Sequence, residues 1–226
     1  MYPNGKMKAL TLSYDDGVEQ DRRLMEILNR YGIKGTFNLN SGLQSRASEW
    51  TRGDVVIRRM NIARLPELYR DHEVAVHSLT HPYLENLDRE TVINEIEQDK
   101  INLERIFGLE ILGMAYPFGT YNDTVVEAVR GCNLRYARGV KSTYSFDIPQ
   151  DLLTYQPTIH HGDPALMDLA KAFIALKPSR PSVFYLWGHS YEFDVDNTWQ
   201  EMEDFCRLVS NKDDIYYATN AQALLA

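Results

Sequence analysis

Apolar residues in this chain fall into two alternating patterns: short continuous runs, and stretches in which they recur every three or four positions. The run Ala9–Tyr14 reads as a strand buried on both faces. Leu24, Ile27, Leu28 and Tyr31 then repeat at helical spacing as far as Gly32, which is placed as a C-cap glycine. Gly35–Leu39 follows as a second strand. Residues 41–60 are polar and mixed and read as a long loop. A short helix is predicted over Asn61–Tyr69, interrupted or kinked at Pro66. Further strands are predicted at Glu73–His77, Ile111–Tyr116, Leu134–Arg138, Ser182–Trp187 and Ile215–Ala218. Between them the clearest helix runs from Asp88, an N-cap, through Val92, Ile96 and Leu103 to Gly108. Val125, Val126 and Val129 mark another. Asp163-Pro164 opens a third, with Leu166, Leu169 and Phe173 turned inward. Met202, Phe205 and Val209 mark a fourth, and a short terminal helix is capped by Asn220. Residues 141–162 read as a second long loop. Roughly seven strands in strict alternation with helices predict a parallel sheet, open or closed into a barrel. With no repeat and no linker-like tract, residues 1–226 are expected to form one domain.

Length and composition narrow this reading. A chain of 226 residues can bury one core and falls in the range of α/β barrels. Twenty-four basic against 32 acidic side chains leave a formal charge of −8, without the basic stripe that phosphate neutralisation needs, so no nucleic-acid partner is expected. No apolar run approaches the ~20 residues of a membrane span, so no membrane partner is expected either. The first strand begins near Lys8, leaving no room for a leader, and the chain as written is expected to be cytoplasmic, or secreted if a leader has been trimmed from it. Cys132 and Cys206 lie in helical segments and read as small buried hydrophobes rather than a disulfide framework. Oligomeric state has no signature here.

The chemistry-bearing residues cluster at strand ends. Asp15-Asp16-Gly17 follows the first strand, and adjacent like charges at a buried strand end call for a cation or a shared proton. His77 and His81 follow the third strand, with Pro82 preventing the turn between them from continuing as a helix. Tyr116-Pro-Phe-Gly119 follows the fourth strand, Arg138 closes the fifth, and His189 follows the sixth. In a βα barrel all of these converge on one rim, the one that carries chemistry. Two histidines and a carboxylate with an open position suit a catalytic zinc, with cobalt or nickel as alternatives. Adjacent residues of an extended segment point to opposite sides, so one aspartate can hold a metal while the other reaches the attacking water. Gly17 supplies the freedom for a sharp exit. An imidazole at His189 titrates in the range needed to protonate a departing amine.

These motifs resemble the polysaccharide deacetylase family, carbohydrate esterase family four, with its NodB-type homology domain. Ser13-Tyr-Asp-Asp-Gly17 is similar to the family's first motif, His77-Ser-Leu-Thr-His81 matches the second in full, and Ala115-Tyr-Pro-Phe-Gly119 resembles the third. Leu186-Trp-Gly-His189 is similar to the last. The resemblance spans residues 8 to about 190 and implies a distorted (β/α)7 barrel, like a TIM barrel. It implies that Asp15 is the general base, that Asp16, His77 and His81 hold the metal, that His189 is the general acid, and that the backbone N–H of Phe118 helps hold the oxyanion. Two departures stand out. Ala115 occupies the place of an arginine that orients the base, and Arg138 is the candidate to replace it. The family's aspartate behind the catalytic histidine has no clear counterpart, and Asp147 or Asp151 would have to serve. His160-His161 either line the cleft or sit in a solvated loop, the loop being favoured. Trp187, Tyr191 and Trp199 are candidates for a sugar-stacking platform, with Trp187 equally readable as core. Tyr14 reads as a packing residue beside the site.

The function expected is metal-dependent hydrolysis of a non-peptide amide, foremost N-deacetylation of an N-acetylated carbohydrate. Hydrolysis of a small or cyclic amide, such as a ureide or imide, is the alternative within the same chemistry. A carbohydrate-binding protein that keeps the fold without catalysis is the alternative outside it, disfavoured because binding alone needs neither an acid nor a base.

Overall fold

Every residue of β1 (Lys8–Asp15) is buried, as expected of a strand covered on both faces in a parallel sheet. The computed structural model describes residues 1–44 and 48–226. The other strands are β2 (Gly35–Leu39), β3 (Glu49–Arg52), β4 (Val55–Arg58), β5 (Glu73–Val76), β6 (Gly113–Ala115), β7 (Tyr136–Arg138), β8 (Ile159–His160), β9 (Ser182–Gly188) and β10 (Ile215–Tyr217). The helices are α1 (Asp21–Arg30), α2 (Leu65–Leu68), α3 (Arg89–Phe107), α4 (Asp123–Gly131), α5 (Leu166–Ala175), α6 (Glu192–Val195), α7 (Trp199–Val209) and α8 (Asn220–Leu224). Among the described residues, no helix is long and apolar enough to cross a membrane.

The main sheet runs β7-β6-β5-β2-β1-β9-β8, every pair parallel, and β10 lies beside the first residues of β1. One segment joins its two ends. Tyr155 exchanges backbone hydrogen bonds with Ala137 and Gly139 beside β7, while Thr158 and His161 donate to Tyr185 and Trp187 of β9. The sheet therefore curls into a distorted βα barrel. Strand alternation sorts β1 into two sets. Leu10, Leu12 and Tyr14 pack into the apolar layer beneath the helices. Thr11, Ser13 and Asp15 face a polar interior, where Thr11 bonds Asn220 at the start of α8 and Ser13 accepts from Asn38 and Arg138. The N-terminal mouth is closed by α8: its Asn220 and Ala221 N–H groups donate to Thr36 and to the half-buried Glu73.

Most predicted elements are present, with four corrections. The stretch 41–60, expected as a loop, contains the antiparallel hairpin β3–β4; positions 45–47 of it lie outside the described residues. The predicted loop 141–162 contains β8, too short to leave a periodic pattern. The fourth and fifth strands are only three residues each. The terminal helix is capped one residue earlier than predicted, by Thr219 in a capping box with Gln222.

Candidate active site

The rim formed by the C-terminal strand ends holds a pocket of about 340 Å³, lined by Asp15, Asp16, His77, His81, Phe118 and His189 among others. Volumes of this order suit a small ligand or one end of a larger one. The chain reverses sharply to build it. Asp16 leaves β1 at φ 81° and Gly17 follows at φ 63°, where a Cβ would run into Gln44 and Leu39. Ser78 (φ 63°), His81 (φ 59°) and Phe118 (φ 57°) are also left-handed, a conformation that non-glycine residues adopt at some energetic cost.

Asp16, His77 and His81 each offer one ligand atom, all within 4.8 Å of one another. His77 Nδ1 is 2.8 Å from the Ala115 carbonyl oxygen. A carbonyl only accepts, so Nδ1 carries the proton and Nε2 presents its lone pair to the pocket. His77 Nε2 and His81 Nε2 are 3.2 Å apart, close to the edge of about 3.3 Å that two nitrogens span around a tetrahedral zinc. Burial lowers the pKa of His77, and burial followed by the neighbouring His77 lowers that of His81 to about 4. Both rings are thus neutral near pH 7, as ligation requires. This donor set fits a zinc-like ion. The turn that carries it is held by α3: Asp99 accepts the His77 and Ser41 N–H groups, and Glu95 accepts the Thr80 N–H and hydroxyl. One Asp16 oxygen also accepts from Arg59 Nη2 at 2.7 Å.

Asp15 is buried beside this trio, with one oxygen 3.9 Å from His77 Nε2 and 4.0 Å from His189 Nε2. Its other oxygen accepts from Asn38 and Arg138. Burial pushes the Asp15 carboxyl up, but Arg138, His77 and His189 more than reverse this and hold it at about 2. Arg138 is fully buried over the face of Trp187, and in the β6–β7 register it lies directly opposite Ala115. The arginine absent from position 115 is thus matched by one on the adjacent strand.

His189 follows β9, and its Nδ1 lies 3.3 Å from Glu192 Oε1 on α6, at an angle short of a hydrogen bond. Burial lowers the His189 pKa, yet Glu192, Asp15 and Asp16 outweigh that and raise it overall. Burial likewise works against the Glu192 carboxylate, and His160, His161 and His189 hold its pKa well below the usual range.

A model of the family described as polysaccharide deacetylase matches residues 3–137. This chain belongs to that family. Among solved structures it is similar to the carbohydrate esterase family 4 domain of a multidomain xylanase from the hindgut metagenome of Trinervitermes trinervoides, at 18% identity and TM-score 0.62, covering 97% of this chain and 90% of that one. It is similar to a family 4 acetyl xylan esterase from Clostridium thermocellum, in complex with a cobalt ion, at 13% identity and TM-score 0.61, covering 96% and 90%. It is also similar to a family 4 pseudoenzyme from Bacillus anthracis, at 18% identity and TM-score 0.57, covering 99% and 66%. Of two further deacetylase structures the chain spans 55% and 62% of the length. No curated protein sequence matches it. At these identities the likeness establishes the fold.

The structure brings Asp15, Asp16, His77, His81, Phe118 and His189 to one pocket, with Arg138 buried behind it against Asp15. The Phe118 N–H has no hydrogen-bond acceptor among the described residues, and its exposed ring stacks on Tyr83 at 3.7 Å and meets His81 at 4.6 Å. Other expectations are corrected. Asp147 pairs with Arg180 and Asp151 caps a turn; the carboxylate behind His189 is Glu192, whose signal was the spacing His189-x-x-Glu192. His160 and His161 lie against Glu192 rather than in a solvated loop. Trp199 lies outside the pocket, bonded to Asp194 under Arg23. Trp187 and Tyr191 line the pocket but are mostly buried, so the exposed aromatic surface at the mouth is Phe118 with Tyr83. Tyr14 is buried as expected, with its hydroxyl 3.3 Å from His161 Nδ1. Arg59 and Tyr83 belong to no sequence pattern that would have singled them out.

Proposed function

We propose that this chain is a metal-dependent deacetylase that removes acetyl from the nitrogen of an N-acetylated carbohydrate. The observation that carries this reading is a carboxylate and an imidazole, Asp15 and His189, on the same pocket as a three-residue donor set. Asp16, His77 and His81 would hold the ion, which when bound polarises the amide carbonyl and acidifies water.

The chain's own residues supply the rest. Asp15, kept ionised by Arg138 and Asn38, accepts the proton of the attacking water at the oxygen that faces His77 and His189. The Phe118 N–H would donate to the oxyanion as the carbonyl carbon becomes tetrahedral. His189, whose pKa is raised by the anions around it, gives its proton to the departing nitrogen. The C–N bond breaks, and acetate and a free amine leave. The exposed Phe118–Tyr83 pair offers an aromatic face against which a sugar ring can pack.

The test is acetate release from N-acetylated oligosaccharides by the zinc-loaded protein, alongside ureides and imides. Release that disappears on chelation and returns with zinc is the expected result. Turnover of the cyclic amides alone would reassign the substrate. Chelator-insensitive turnover, or none with any substrate, would defeat the proposal.

A further inference from the structure

Two clusters have the same composition, one carboxylate and two imidazoles each: Asp16 with His77 and His81 on the pocket, and Glu192, on the pocket wall, with His160 and His161 behind it. Their proton placement differs. In the first, His77 Nδ1 donates to a carbonyl and leaves a lone pair on Nε2. In the second, the Gly162 N–H donates to His160 Nδ1 at 3.1 Å, so the lone pair is on Nδ1 and the ring proton is on Nε2. That Nε2 is 3.0 Å from Glu192 Oε2. His161 follows the same scheme. Its Nε2 is 3.1 Å from Glu192 Oε2, and its Nδ1 is 3.3 Å from the Tyr14 hydroxyl. The other neighbour of that hydroxyl is the sulfur of Met202 at 3.7 Å, a weak acceptor. The imidazole nitrogen is therefore the better target for the Tyr14 proton. Burial, the largest effect on His161, lowers its pKa to about 4, so the ring carries one proton near pH 7. With Nδ1 accepting, that proton is on Nε2.

The geometry points to His160 and His161 as positioning residues, an N–H donor from His160 and a close Nε2 contact from His161 that hold the Glu192 carboxylate in place behind His189, and not the ligands of a second ion. The same carboxylate is approached from its other sides by the His189 N–H at 3.3 Å, by His189 Nδ1 at 3.3 Å and by Arg52 Nη1 at 3.3 Å. A carboxylate gripped at one oxygen by two rings presents the other to His189 at a fixed angle. The ring of His189 is thereby aimed across the pocket at Asp15. This rests on the deacetylase reading for its catalytic consequence, but the clasp itself can be measured without turnover.

The experiment has two arms. In the zinc-loaded chain, histidine ¹⁵N–¹H correlation spectra at neutral pH are expected to show His160 and His161 protonated at Nε2, and elemental analysis is expected to give one zinc per chain. Two zinc ions per chain, falling to one in His160→Phe, would overturn the proposal, as would Nδ1–H rings. In the second arm, His160→Phe keeps the ring shape and removes the donor, while His160→Gln keeps a donor at similar reach. His160→Phe is expected to lower kcat about 10- to 100-fold with KM nearly unchanged and one zinc retained, and His160→Gln to recover most of the loss. Equal rates in both variants and the wild type would remove the positioning role. If the wild type releases acetate from no substrate, the deacetylase reading fails, while the spectra and the zinc count still decide the clasp.

Discussion

A guanidinium with no exposed surface is stable only where an anion meets it, and Arg138 meets Asp15. Asp15 needs Arg138 equally, since Asn38 is its only other hydrogen-bond donor among the described residues. Breaking a buried pair from one side leaves a charge without compensation. Arg138→Met is therefore expected to lower stability by about 3–5 kcal/mol, read by denaturant unfolding. Adding Asp15→Asn should restore part of that stability and none of the turnover, a coupling that a double-mutant cycle measures. Additive effects would show that the two side chains do not depend on each other. Asp15→Asn alone should reduce turnover by about 10²- to 10⁴-fold with the metal content unchanged. The sequence made Arg138 visible as a strand-end cation. It did not make visible that Arg138 stands opposite Ala115, because register between parallel strands is set by the sheet as a whole.

At the scale of elements, α3 does more than cover the sheet. Its boundaries were legible because Asp88 caps the first turn and Gly108 ends the last in a left-handed conformation. What the pattern hid is that two acids one turn apart, Glu95 and Asp99, face inward, since acids on a helix are read as solvated. They hold the backbone of the His77–His81 turn. Glu95→Ala is expected to weaken zinc binding about 10- to 100-fold with the far-UV circular dichroism unchanged. Undiminished affinity in a competition titration would show that the turn holds itself. The β3–β4 hairpin escaped the sequence because only Ile57 of its eight residues is buried, too little to stand out as a strand period.

Across the whole molecule, strict alternation of strand and helix made the barrel readable. Its closure through residues 155–161 was not, because a two-residue strand carries no period. Another long-range tie was equally silent: Asp21, at the start of α1, accepts hydrogen bonds from Ser190 after β9 and from Tyr69 after α2. Burial raises the Asp21 pKa to about 7, against the opposing effect of those two hydroxyls. An unfolded aspartate titrates near about 4, so between the two values the unfolded chain releases a proton that the folded chain keeps. Stability from this group is then complete below about pH 4 and lost as pH rises toward about 7. Asp21→Asn should abolish that slope, with a Tm exceeding that of the wild type by about 8–16 °C at pH 7 and converging with it at pH 4. Parallel Tm curves over this range would refute the assignment.

The left-handed backbone at Asp16, Ser78, His81 and Phe118 has a consequence for assembly. If those torsions are set by the fold, the three donors proposed for the metal are aimed before any ion arrives. Stripping the ion should leave a folded receptor, with native circular dichroism and a cooperative melt, that reloads without refolding. The ion would then behave as a detachable part, and the cell's supply of it, more than the folding of the chain, would decide when the protein is active.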